Sequence, residues 1–309
     1  MKKLDINDFD HKIIIKVVGV GGGGTAAVNN MINAGVKGVE FITVDSDLSQ
    51  SLASININLG NKDTNIDSES SAMAADEHCE EILYSLQGSD MVFVIAGMGG
   101  ATGTGAAPIV AKCAKKIGAL TIGVVTCPFS YGDSMQSKHA TQGLEDLRRT
   151  ADNIIVIPNE KVFANLDRST SFADAFKVVD DVICQGVQSI CDLISDSGYV
   201  NVDFADIENI IDNSGLASIG IGEAVGTNAP LIALREAISS PLMEIPVCDS
   251  KGIIINFMGE ASHLNLMELN VAVQSIVGEA HPDANILWGV SVDDNMDDII
   301  RVVVVATNH

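Results

Sequence analysis

The sequence predicts an α/β fold, a doubly wound Rossmann-like parallel sheet followed by a smaller α+β domain, and three observations carry this. β-Branched apolar runs recur at 13–18, 39–44, 91–95, 121–125 and 154–157, mostly followed by a turn and helix-compatible sequence. Such runs with helical spacers mark a parallel sheet buried on both faces. From 171 to 194, Phe172, Ala175, Phe176, Val179, Val182, Ile183, Val187, Ile190, Leu193 and Ile194 keep helical spacing, so a long, largely buried helix follows the sheet. Beyond Gly215 the pattern changes to strand-like runs at 218–221, 252–256, 285–290 and 301–306 around helical segments near 229–239 and 263–277.

Taken in chain order, the first run leads into "GVGGGGTAA" (19–27), where Gly19, Gly21 and Gly24 satisfy Gly-x-Gly-x-x-Gly ahead of a helix over about 25–34. Glycine lets backbone approach an anion, and the helix points its N-terminus at it. Asp45 or Asp47 ends the next run at the distance expected of a ribose-binding carboxylate. Alone this is weak evidence, because such a turn can also be purely structural. Residues 61–71 are polar, acidic and aperiodic and read as a solvated loop before a helix over 73–86.

The third run opens into "GMGGATGTGAAP" (97–108), a second glycine-rich turn before a helix over about 103–117. Two such turns side by side suggest one polyphosphate gripped from both sides. Neither contains Gly-Lys-Ser/Thr, so backbone amides, the Thr102 and Thr104 hydroxyls, helix dipoles and Mg²⁺ would have to neutralise the anion. Ala101 interrupts the glycines; a helix N-terminus accepts alanine, so negative φ is expected there.

After the long helix, "NVDFAD" (201–206) sets Asp203 and Asp206 three residues apart, on one face of a helical first turn. The pair could polarise water or hold a cation. It also fits ordinary capping, with Asp203 as N-cap and Asp206 in the first turn, and the two readings are compatible.

With 41 acidic against 18 basic residues, the formal net charge of −23 disfavours nucleic acid or an anionic membrane as a direct partner. The six cysteines form no Cys-x-x-Cys or Cys/His cluster, which argues against zinc and against a disulfide scaffold. Reduced thiols in a cytoplasmic protein are expected. No apolar run reaches the roughly 18 residues of a membrane span.

Seven blocks in order, "GVGGGG" (19–24), "MVFVIAGMGGATGTGAAP" (91–108), "GALTIGVVTCPFS" (118–130), "QGVQSICDLI" (185–194), "NVDFAD" (201–206), "AISSPLME" (237–244) and "DDIIRVVVVAT" (297–307), resemble the tubulin/FtsZ superfamily, and within it bacterial FtsZ. The resemblance implies a GTP-binding domain (11–177), a central helix (178–200) and a C-terminal domain (201–309). It implies GTP or GDP with Mg²⁺, head-to-tail protofilaments of identical subunits, and a cytoplasmic division ring, with a second FtsZ or division proteins as further partners. Gly21, Gly22, Gly23, Gly24, Thr25 and Ala26, with Gly100, Ala101, Thr102, Gly103 and Thr104, match the phosphate-contacting turns. Asn159, Phe176 and Asp180 match guanine-contacting positions. Asp203 and Asp206, with Asn201 beside them, would position or activate water at the neighbouring subunit's γ-phosphate.

The departures from that pattern matter as much. Ala101 replaces a glycine, and Thr25-Ala26 replaces the usual Gly-Asn. Gly132 stands for a ribose-contacting Glu, Gln136 for an Arg, and the acidic segment 61–71 for a longer glycine-rich loop over the γ-phosphate. Weakened nucleotide affinity with the catalytic loop retained is the expectation. The sequence also stops at His309, so the linker and C-terminal peptide by which this family reaches membrane anchors either lies beyond it or is lacking. A filament subunit that has lost effective hydrolysis is the main alternative. A nicotinamide-dependent enzyme using Gly19, Gly21, Gly24 and Asp45 is a remote one that leaves 97–108 and 201–206 unexplained.

Overall fold

The computed structural model describes residues 12–60, 67–128, 135–167, 169–195, 200–212 and 215–308. The strands β1 (Ile15–Val20), β2 (Val39–Asp45), β3 (Ile55–Asn58), β4 (Met91–Gly97), β5 (Leu120–Cys127), β6 (Asn153–Pro158), β7 (Gly215–Val225), β8 (Gly252–Gly259), β9 (Asn285–Val292) and β10 (Ile299–Asn308) join in one sheet, in the order β3-β2-β1-β4-β5-β6-β7-β10-β8-β9. From β3 to β6 every pairing is parallel. β6 also pairs in parallel with the start of β7, so the sheet continues into the C-terminal half, where β10 runs antiparallel to β7 and β8.

The helices explain why β1 and β4 are buried nearly throughout. α1 (Gly21–Asn33) and α7 (Phe172–Ile194) cover one face, and α2 (Ser68–Glu77), α3 (Cys79–Leu86), α4 (Ala101–Lys116) and α5 (Met135–Arg148) cover the other. With both faces covered, a β-branched run needs no polar alternation, which is how β1 and β4 read in sequence. α7 packs against both halves of the sheet. Its Val179, Ile183, Val187 and Ile190 share one core with Phe93 and Ile155 of the parallel part and with Ile219, Val303 and Val305 beyond it. α9 (Ala229–Ile238) and α10 (Leu266–Val277) close a separate core over β8 and β10. The short α6 (Asn159–Phe163) follows β6, and α8 (Phe204–Ile211) follows residues 200–203.

Several boundaries differ from the sequence reading. α1 begins at Gly21 and α4 at Ala101, ahead of the expected 25 and 103, because both glycine-rich turns already form the first helical turns. The helix expected over 73–86 starts at Ser68 and breaks at His78. Asp67 caps it by accepting from the Ser70 amide, so residues 68–71 of the expected loop are helical, and 61–66 lie outside the described residues. The four-residue β3 was too short to show as a periodic run.

Candidate functional site

Along the parallel half the strand order reads 3-2-1-4-5-6, so the winding reverses between β1 and β4. Open α/β sheets bind ligands outside the carboxyl ends of strands at such a switch point. The two strands are paired, Gly19 beside Ile95 and Val20 beside Ala96, so the turns that follow them are neighbours. A cleft of about 620 Å³ opens there, within the range of small-ligand sites.

The turns interlock through backbone. Gly21 has φ +70°, and a Cβ on it would lie 2.8 Å from the Gly103 nitrogen. A Cβ on Gly103 would lie 2.5 Å from the Gly97 carbonyl oxygen. A side chain at Gly21 would push α1 from α4, and one at Gly103 would push α4 from the end of β4. Both helices start without a side-chain cap and without an acidic residue in the first turn. Their first amides and positive dipole ends are therefore available to an anion. Among the described residues no lysine or arginine lines the cleft, and the amides are a source of positive potential there.

At Ala101 the expectation of negative φ holds. Among the described residues only Asn228 and Asp297 are non-glycines with positive φ. The position in this turn that requires glycine is Gly99, at φ +96°, where a Cβ would meet the Gln136 side chain at 2.8 Å. Gly100 is the extended N-cap and Ala101 the first helical residue.

Of the sequence-derived site residues, Gly23, Ala26, Gly100, Asn159, Phe176 and Asp180 line the cleft. Gly22 is exposed beside them, whereas Gly21, Gly24, Thr25 and Gly103 are buried where the turns meet. The threonines are placed differently. Thr104 is buried and its hydroxyl accepts from the Gly99 amide at 2.8 Å, tying the turn to α4. Thr102 lines a small separate hollow with Ser46, Gly60, Ser70 and Ser71. Asp45 is buried, accepts from the Ser46 amide at 2.7 Å and lies outside the cleft lining.

The cleft also has features that periodicity concealed. Met98, Thr126, Pro128, Gln136, Phe172, Val179 and Ile183 complete its walls. Phe172 and Phe176, assigned from their spacing to a largely buried helix, are 72% and 37% exposed and stack edge-on with centroids 4.8 Å apart. Their i, i+4 relation was the available signal, read as core because helical spacing alone does not say which neighbour a face meets.

Two polar groups fit a nucleobase. Asn159 is buried, and its side-chain carbonyl oxygen has no hydrogen-bond partner among the described residues. A buried acceptor left alone costs about 1–3 kcal/mol, so a ligand N–H donor suits it. Burial pushes the Asp180 carboxyl up to about 7, with the neighbouring Asp181 charge adding to the effect. A carboxylate there can accept from paired donors on a base edge, and those donors would favour its ionised form.

The third sequence motif lies elsewhere. Asp203 caps α8 by accepting from the Ala205 amide at 3.1 Å, and Asp206 occupies the first turn, so the capping reading holds. Asn201, Asp203 and Asp206 are all exposed and none lines the cleft. The cleft is met by the first half of α7, while residues 200–206 follow its far end. From Phe176 to Ile194 the helix spans about 27 Å. The cleft and the acidic loop thus lie toward opposite ends of α7. Among the described residues no group of three or more His, Cys, Asp or Glu is arranged to hold a metal ion.

A tubulin/FtsZ family GTPase-domain model matches residues 14–167 and an FtsZ family C-terminal-domain model matches 215–309. An empty FtsZ dimer from M. jannaschii is 38% identical at a TM-score of 0.90, covering 96% of this chain and 89% of that one. The chain belongs to the tubulin/FtsZ family. A second M. jannaschii FtsZ structure, of a variant, matches at 37% identity and a TM-score of 0.90, covering 96% of this chain and 91% of that one. CetZ2 from Haloferax volcanii, solved as a GTPγS-bound protofilament, shares the fold at 18% identity and a TM-score of 0.79, covering 95% and 92%. These FtsZ relatives are archaeal, so the matches establish the FtsZ-like fold and family rather than a bacterial origin. Gln136, a departure from the FtsZ pattern, stands in the cleft wall, whereas Gly132 lies outside the described residues.

Proposed function

We propose that this chain is a GTPase that binds GTP or GDP in the cleft at the β1/β4 switch point and stacks head to tail with further copies of itself. Gly21 to Gly24 and Gly100 to Gly103 would hold the phosphates through amides and two helix N-termini. Asn159 and Asp180 would read the base edge, with Phe176 beside them. Mg²⁺, when bound, would supply charge neutralisation at the phosphates; it commonly takes its ligands from phosphate, water and one or two carboxylates. Asn201, Asp203 and Asp206 of one subunit would complete the neighbour's site by orienting water. We place the filament in the cytoplasm, as part of a division ring, with a second FtsZ-like chain or division proteins as further partners.

The observation carrying this reading is the separation of cleft and acidic loop along α7. A subunit cannot bring its own Asp206 to its own cleft, whereas a heterologous contact can bring a neighbour's. The test is phosphate release by Asp206→Ala, by Asp180→Ala and by their mixture. Each variant alone should lose about 10²-fold or more. The mixture should recover about a quarter of wild-type turnover, the share of heterologous contacts that pair an intact cleft with an intact loop. Unchanged turnover in Asp206→Ala, or wild-type turnover per subunit independent of protein concentration, would refute a shared site.

A second reading, a filament subunit with weakened nucleotide binding, is favoured by Gln136 in the cleft wall. A lost charged hydrogen bond is worth about 1.5–3 kcal/mol. Calorimetric titration should therefore show Gln136→Arg tightening GTP binding roughly tenfold or more. If affinity does not change, this reading loses its support.

A further inference from the structure

Away from the cleft, Cys79 and Cys113 bring their sulfurs to 3.1 Å, both as free thiols. Cys79 is the first residue of α3, just past the break at His78, and is half-buried. Cys113 is 1% exposed and lies three residues before the end of α4. A disulfide bond is about 2.05 Å long, so about 1 Å of side-chain movement separates contact from bond. The other four cysteines have no such sulfur partner among the described residues: Cys127 is half-buried at the end of β5, Cys248 is exposed, and Cys184 and Cys191 are buried two turns apart on α7.

We infer that Cys79 and Cys113 form a reversible dithiol/disulfide site, oxidised by low-molecular-weight disulfides of the glutathione class, that staples α3 to α4. The half-buried Cys79 is the entry point. Its thiolate attacks one sulfur of the small disulfide, expelling one thiol and leaving a mixed disulfide. The Cys113 thiolate then attacks the Cys79 sulfur, forming the internal S–S bond and expelling the second thiol. Two protein thiols are oxidised, one small disulfide is reduced to two thiols, and the two protons leave with the products. Burial, reinforced by the adjoining Cys79 thiol, pushes the Cys113 thiol up to about 12. The second step is therefore slow at neutral pH and speeds up as pH rises.

The staple closes a covalent ring that contains β4 and the second glycine-rich turn. Such a ring stabilises mainly by restricting the unfolded chain. Cys113 lies about 18 Å along α4 from Ala101, so the cleft is not touched by the bond.

The test is incubation of the native protein with oxidised glutathione, alkylation of remaining thiols, and peptide mapping by mass spectrometry. The expected product is a Cys79–Cys113 linked peptide lighter by two hydrogens, reversed by dithiothreitol, with a melting temperature higher by about 5 °C or more. Cys113→Ser should instead stop at a stable glutathione adduct on Cys79. Two outcomes overturn the inference. One is wild type retaining that adduct, or both free thiols, while Cys248 is modified in the same sample. The other is a linked protein that melts lower than the reduced one.

Discussion

In the proposed site, Asp180 would couple proton and ligand. Its carboxyl ordinarily titrates near 3.8 and is raised by burial to about 7 in the free protein. The folded state therefore holds a proton between those values that the unfolded chain releases. The stability this contributes is fully present below about 4 and is lost as pH rises through 7. Ligand binding in the proposed site would run the other way, since a base that donates to Asp180 would require the ionised form. GDP affinity should fall as pH drops from 8 to 6, approaching tenfold per unit below 7, and Asp180→Asn should bind more weakly and lose that slope; calorimetry across pH reads both. Asp203 separates two roles by a single atom change. Asn caps as well as Asp, so Asp203→Asn should leave stability nearly unchanged while lowering phosphate release. Asp203→Ala should also cost about 0.5–2 kcal/mol in urea unfolding. Gly22 and Gly103 make a further contrast. A Cβ on Gly22 meets nothing within 4 Å, whereas one on Gly103 lies 2.5 Å from backbone. Gly22→Ala should be within about 0.5 kcal/mol of wild type. Gly103→Ala should lose about 1–3 kcal/mol or more.

At the scale of elements, α7 has two ends with different tasks. Ser171 caps it by accepting from the Asp174 amide at 3.1 Å, and the first turns then expose Phe172 and Phe176 to the cleft. Further along, Val187 and Ile190 are buried in the core, and the chain leaves at Ile194 toward the acidic loop. α4 is anchored at its far end by Lys115, whose ammonium meets the Asp152 carboxylate, while the other oxygen of Asp152 accepts from the Thr121 amide at 2.8 Å. That carboxylate ties α4 to the start of β5 and the chain entering β6. Asp152→Ala leaves the Thr121 amide buried without its acceptor, and chemical unfolding should show a loss of about 1–3 kcal/mol or more. Phosphate release per assembled subunit should change little, since Asp152 is remote from both halves of the proposed site.

Over the whole molecule, the sheet does not stop between the family's two domains. β6 pairs with β7 at Asn153 to Gly215 through Ile155 to Ala217, and one apolar core runs from Ile15 to Val305 beneath α7. Unfolding the C-terminal half would strip cover from α7 and from the edge of β6. A single cooperative thermal transition, coincident by far-UV and near-UV circular dichroism, is therefore expected rather than two. Two separated transitions would show that the shared core is too small to couple the halves.

The sequence by itself determined the parallel sheet, both glycine-rich turns, the long helix and the Asp203 cap, because each rests on residues close in the chain. Runs such as Val92 to Val94 report burial on two faces, and Asp203 followed by Asp206 reports a helix start wherever that helix lies. It also supplied Asn159, Phe176 and Asp180 as site residues, though only through resemblance to a family. Only the tertiary structure decided what those local patterns face. It turned Phe172 and Phe176 from an apparent core stripe into a cleft wall, directed the Thr104 hydroxyl to the Gly99 amide, and brought Cys79 against Cys113 across two helices. It also put the cleft and the acidic loop at opposite ends of α7. Periodicity fixes the face of an element, but what that face meets depends on strand order and on contacts distant in sequence, which no local window contains.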